Sequence, residues 1–93
     1  MSKIQRIGDA NVAGGVITSV VQPYTYINGI LVSVDGSPVS PHKPFSVPHI
    51  APTTANGSAN LFIQGIPVNR EGDADTCGHA RADGSPDTFN FNL

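Results

Sequence analysis

Glycine and proline punctuate this chain so often that a helix has nowhere to form. Together they supply 18 of its 93 residues, and only short stretches pass without one. Proline removes a helical donor and glycine is a poor helix former. The apolar positions do not recur at helical spacing either. What remains is a set of short β-rich runs between turns. Val16 to Gln22 reads as a strand closed by Pro23, and Tyr24 to Leu31 as two short strands around Asn28-Gly29. That dipeptide tolerates the left-handed backbone of a tight hairpin. Asp35-Gly36-Ser37-Pro38 marks another turn. Strand character returns over Asn60 to Gln64, turns at Gly65 and continues through Val68, with a last short strand over Thr88 to Asn92. Prolines stand at 38, 41, 44, 48 and 52, which predicts an extended, semi-rigid loop barred from a central sheet.

A chain of this length is one domain, 1–93, with a modest core. There is no tryptophan, and only four Phe and two Tyr. Small domains so poor in large apolar residues need a staple. Cys77 is the only cysteine, so an internal disulfide is excluded, leaving a metal, self-association or a partner. The net charge of −2 and a pI near 5.8, with scattered Lys3, Arg6, Lys43, Arg70 and Arg81, argue against nucleic acid. No basic amphipathic helix suggests a membrane surface and no segment could span a bilayer. Met1-Ser2-Lys3-Ile4-Gln5-Arg6 lacks the apolar run of a signal peptide, so synthesis in the cytoplasm without a leader is expected.

The chain repeats itself. Ile27-Asn28-Gly29-Ile30-Leu31-Val32 aligns with Ile63-Gln64-Gly65-Ile66-Pro67-Val68, and Asp35-Gly36 with Glu71-Gly72 in the same register. Arg6-Ile7-Gly8-Asp9-Ala10 matches Arg70-Glu71-Gly72-Asp73-Ala74, and Gly57-Ser58 is echoed by Gly84-Ser85-Pro86. A hairpin unit used more than once, each copy too small to bury its own apolar face, implies a shared core.

His42, His49, Cys77 and His79 all lie in Pro- or Gly-rich loops. Nitrogen and thiolate donors in this number suit a tetrahedral zinc site, and Gly78 lets Cys77 and His79 face one side of a turn. The other reading makes Cys77 an inert buried thiol and the histidines solvated loop residues; composition alone leaves both open. Four protein ligands would close the shell, which favours a structural ion over a catalytic one. Glu71, Asp73 and Asp75 are explained more simply by turns. No nucleophile elbow, phosphate loop or defined carboxylate pair is present. Arg6 and Arg70 each precede a Gly-Asp by two positions, and the simple reading is a turn whose arginine pairs with an acid or a carbonyl.

The segment Gly57-Ser58-Ala59-Asn60-Leu61-Phe62-Ile63-Gln64-Gly65-Ile66-Pro67-Val68-Asn69-Arg70-Glu71-Gly72-Asp73, followed by Cys77-Gly78-His79, resembles a PAAR-repeat segment. Arg6-Ile7-Gly8-Asp9 with Gly14-Gly15-Val16-Ile17 is similar to that family's opening, and Gly84-Ser85-Pro86 to its close. The namesake tetrapeptide here is Pro67-Val68-Asn69-Arg70, and Ala13 stands where many members have histidine.

The resemblance implies an all-β, cone-like domain of short hairpins with pseudo-threefold repeats. A zinc, rather than iron, near its apex would be held by three histidines and a cysteine. The expected ligands are His42, His49, Cys77 and His79. Its wide apolar base would dock, one monomer on a trimer, on a trimeric β-helical spike in a phage tail or a type VI secretion system. It would reach the virion or be secreted by that route, and would pierce an envelope without stable membrane association. Some relatives carry toxin extensions; with nothing after Leu93, a bare non-enzymatic tip is expected. Two alternatives remain. A small zinc hydrolase of envelope polymers would need an exchangeable water on the metal. A generic metal-stabilised binding module would fold correctly yet ignore every trimeric β-helix.

Overall fold

The computed structural model describes residues 2–42 and 51–90, and no helix occurs among them, so none is long and apolar enough to cross a membrane. The strands are pairs of residues: β1 (Ser2–Lys3), β2 (Tyr26–Ile27), β3 (Ile30–Leu31), β4 (Phe62–Ile63), β5 (Ile66–Pro67) and β6 (Phe89–Asn90). They form three antiparallel ribbons, β2 with β3, β4 with β5, and β1 with β6. Two are tight hairpins whose turns, Asn28-Gly29 and Gln64-Gly65, have φ between 53° and 77°. Both central residues are left-handed, the turn that matches strand twist. The third ribbon has no turn. The N-terminal Ser2 pairs with Asn90, and Lys3 with Phe89.

Three legs hang from these ribbons and lock together by the same contacts in rotation. Ile4 bridges Arg70, Val68 bridges Val34, and Val32 bridges Arg6. One residue further along each leg, Gln5 N–H donates to Asn69 O (3.1 Å), Asn69 N–H to Ser33 O (3.0 Å), and Ser33 N–H to Gln5 O (2.9 Å). A closed ring of three backbone hydrogen bonds is the signature of pseudo-threefold symmetry within one chain. The legs then turn at Gly8, Gly36 and Gly72, each with φ of 89–91°, where a side chain would be strained. Their N–H groups reach Ile17, Thr54 and Arg81, which lie on three outer hairpins. Those hairpins are marked by the bridges Ala10–Val16, Pro38–Thr53 and Ala74–Ala80.

The molecule is thus tiered. Ile4, Val32 and Val68 with Val34 form a small buried apolar cluster, with Ile27, Leu61, Ile63 and Ile66 packed against it. Next comes the buried polar tier of Gln5, Ser33 and Asn69, in which Ser33 Oγ donates to Asn69 Oδ1 (2.7 Å). Among the described residues, 16 buried polar side chains stand against six buried aliphatic ones. Hydrogen bonding, more than oil, therefore specifies this interior.

The arginine turns follow the simple reading. Asp9 accepts from Arg6 N (2.8 Å), Nε (3.1 Å) and Nη2 (3.3 Å), and Asp73 accepts from the same three atoms of Arg70 at 2.8, 3.2 and 3.0 Å. The third copy uses Ser37, whose Oγ donates to Val34 O.

One expectation needs correction. Val16 to Gln22 is not a strand: only Val16 and Ile17 make bridges, because the Gln22 side chain, not a ladder, satisfies the backbone that follows. The β1–β6 ribbon was not anticipated at its N-terminal side. The described part of the proline-rich loop joins none of the three ribbons, as its composition implies, and makes only isolated bridges, Pro38 to Thr53 and Val39 to Ile17. Residues 43–50 of that loop, and 91–92 of the last expected strand, lie outside the described residues.

Candidate metal centre

The outer hairpins gather His42, Cys77 and His79. Asp75 N–H donates to His79 O (2.9 Å) and Gly78 N–H to Asp75 O (2.8 Å), closing a tight turn that carries both Cys77 and His79. Gly78 has φ of 90°, so the left-handed step between the two ligands needs glycine. His42 arrives from the neighbouring leg, 5% exposed, its ring against Gly15. A Cβ on Gly15 would lie 2.5 Å from His42 Nδ1, so only glycine leaves room for the ring.

The Ser40 carbonyl sits 2.9 Å from His42 Nδ1. A carbonyl can only accept, so it takes the Nδ1–H and leaves the Nε2 lone pair facing the cluster. Nε2 lies 3.0 Å from His79 Nδ1 and 3.5 Å from Cys77 Sγ, and that sulfur is 3.6 Å from His79 Nδ1. An ion bound tetrahedrally at ordinary zinc distances separates two nitrogens by about 3.3 Å and nitrogen from sulfur by about 3.6 Å. The donors therefore fit a small ion at their centre, and their softness suits zinc.

Of the four ligands expected from sequence, three thus converge, while His49 lies outside the described residues. Ala13 holds the place in the Asn11–Gly15 turn that Cys77 holds in the Asp75–His79 turn, with Gly14 matching Gly78.

Sequence reasoning missed what lies beneath. Asn11, Asp75 and Arg81 are almost fully buried. Burial pushes the Asp75 carboxyl above its usual range, although the Asn11 hydrogen bond and the Arg81 charge pull it down. Burial likewise draws the Arg81 guanidinium below its usual value against the pull of Asp75. In the sequence Asp75 reads as a turn residue, and no local pattern ties it to Asn11 or Arg81.

A second feature occupies the hairpin tier. The buried Ile4, Val32 and Val68, with the half-buried Ile27, Leu61 and Ile63, line a concave apolar cup of about 420 Å³, and Phe62 stands at it, 51% exposed. It shares no residue with the metal cluster. Along each leg the polar tier separates the two.

The chain matches the family model described as PAAR motif over residues 7–80. It is also similar to a protein named double-stranded DNA deaminase toxin A from Burkholderia cenocepacia (strain H111), 38% identical over 80 residues. That match covers 83% of this chain but 5% of the toxin, so the chain spans a small part of that relative's length. Repeated hairpins on a pseudo-threefold axis, a His-Cys-His cluster on the outer turns and a family match over most of the sequence agree: the chain belongs to the PAAR motif family.

Proposed function

We propose that this protein is the structural, non-enzymatic tip of a contractile injection machine, seated by its apolar cup on a trimeric β-helical spike and stiffened by one zinc ion. The observation that carries the reading is the threefold repeat of the residues beneath the cup. Ile4, Val32 and Val68 are equivalent residues of three legs of one chain, and they meet around one axis. Those three are the buried floor, and above it each ribbon exposes an aromatic at the same place, Tyr26, Phe62 and Phe89; a monomer that repeats one apolar contact three times matches a partner built from three identical chains. Exposed apolar concavities of this kind mark interaction sites.

The metal supplies cross-linking. When bound it ties the leg bearing His42 to the turn bearing Cys77 and His79, and His49 is the proposed fourth ligand. The three described ligands do no proton transfer in this role. His42 is locked by Ser40 and Gly15, and Cys77 and His79 are fixed on a single turn. The relative named as a toxin contains the matching segment as 5% of its length, which supports a module for delivery. Phage tail and type VI system are both consistent with the cup.

Isothermal titration of the zinc-loaded chain into a trimeric β-helical spike from the same host tests the proposal. Tight binding that Phe62→Glu abolishes, with folding and zinc content unchanged, is expected. Absence of binding by the folded, zinc-loaded wild type would refute it.

A further inference from the structure

We infer that Asn11, Asp75 and Arg81 are positioning residues for the metal centre, holding the wall behind His42 in register with the turn that carries Cys77 and His79; this rests on the reading of that cluster as a metal site. The three come from two outer hairpins that are far apart in sequence. Asn11 Oδ1 accepts from Ala13 N and Gly15 N (2.9 Å each), which fixes the first turn. Its Nδ2 donates to Asp75 Oδ2 (3.0 Å), the carboxylate at the start of the ligand-bearing turn. Arg81 Nη2 donates to Gly15 O (2.8 Å), and Arg81 Nε stands 3.6 Å from Asp75 Oδ1. Asn11 and Arg81 also form a backbone bridge.

Gly15 is where this network meets a ligand. The His42 ring packs on it with no room for even a methyl group, so a small shift of Gly15 moves His42 Nε2 relative to Cys77 and His79. The network is also a poor stability device. Asp75 Oδ1, Arg81 Nε and Arg81 Nη1 are buried without a hydrogen-bond partner, and a buried ion pair so incompletely satisfied returns little of its desolvation cost. A domain with few apolar residues keeps it, and the part of the molecule it organises is the wall and the turn around the ligands. Partners one layer outside a metal site commonly set its affinity in this way.

The test separates affinity from folding. Asp75→Asn and Arg81→Lys keep size and polarity while disturbing the network. Zinc affinity is measured by competition with a chromophoric chelator, and the stability of the metal-free chain by urea unfolding. The expected result is zinc binding weakened roughly 10- to 100-fold, beyond any change in metal-free stability. The cobalt(II)-substituted variants should also show weakened visible absorption, the mark of a coordination shell that is no longer tetrahedral. Folded variants with wild-type affinity and an unchanged cobalt spectrum would overturn the inference while leaving the metal site standing. Failure of the wild type to bind zinc would instead remove the reading on which it rests. If neither variant folds, Gly15→Ala decides: unchanged affinity there removes the proposed wall, and weakened affinity supports it.

Discussion

Replacing Gln22 by alanine should cost about 3 kcal/mol, more than any other single hydrogen-bonding side chain in the hairpin tier. The amide is fully buried and uses all four of its hydrogen-bonding positions. Nε2 donates to Thr25 O (2.9 Å) and Val32 O (2.8 Å), while Oε1 accepts from Tyr24 N (3.0 Å) and Thr25 N (2.8 Å). The symmetry-related positions are Ser58 and Ser85. There the hydroxyl oxygen accepts from the following backbone, and the backbone N–H itself reaches Val68 O or Ile4 O, both at 2.8 Å. Gln22 thus does with one side chain what a serine and its own N–H do elsewhere. Tyr24 and Thr25 are exposed, so water can replace three of the bonds, at about 0.5 kcal/mol each. Val32 is 1% exposed, and leaving its carbonyl without a donor costs about 1–2 kcal/mol more. Ser58→Ala keeps the N–H to Val68 O and should lose about half as much. For a domain of this size, 3 kcal/mol lowers Tm by about 12–24 °C. Urea unfolding at fixed free zinc, followed by far-UV circular dichroism, measures both variants. A loss below about 1 kcal/mol for Gln22→Ala, or equal losses for the two, would refute the reasoning.

Other outcomes follow from the same contacts. Chelating the metal should destabilise the fold by about 4 kcal/mol relative to protein held at a free zinc concentration of a thousand times Kd, read by calorimetry; an unchanged Tm would contradict a stapling ion. Asp9→Ala and Asp73→Ala should cost the same, about 1–2 kcal/mol each, because their contact sets match; a large difference would show that the repeat is geometric but not energetic. Asp87 is held below its ordinary value of 3.8 by hydrogen bonds from Asn28 first, then Ser85 and Thr88. Its stabilising effect is therefore full above pH 3.8 and lost as pH falls through the lower folded value. In a pH titration of stability, Asp87→Asn should remove that acid-side loss, and a profile identical to wild type would contradict it.

Much of the fold was legible because its signals are local. Asn28-Gly29 demands a tight hairpin, and the matched Gln64-Gly65 inherits the reading through the repeat even though glutamine is an uncommon residue at positive φ. Cys77-Gly78-His79 was legible as a turn that sets both side chains on one side, because Gly78 takes the left-handed step between them. The β1–β6 ribbon was hidden because its halves lie at opposite ends of the chain, with no turn to announce them. Gln22 misled for a related reason: its apolar neighbours mimic a strand, while its amide replaces one. The Asn11, Asp75 and Arg81 network left no trace, since an amide, an acid and an arginine far apart carry no pattern until the hairpins bring them together.

The central claim is that one pseudo-symmetric chain caps a threefold spike. A native mass spectrum of the chain mixed with a trimeric β-helical spike protein from the same host tests it most directly. The account predicts a single complex of one chain per trimer carrying one zinc ion, lost with Phe62→Glu. Three chains per trimer, or a folded zinc-loaded chain that stays unbound, would contradict it.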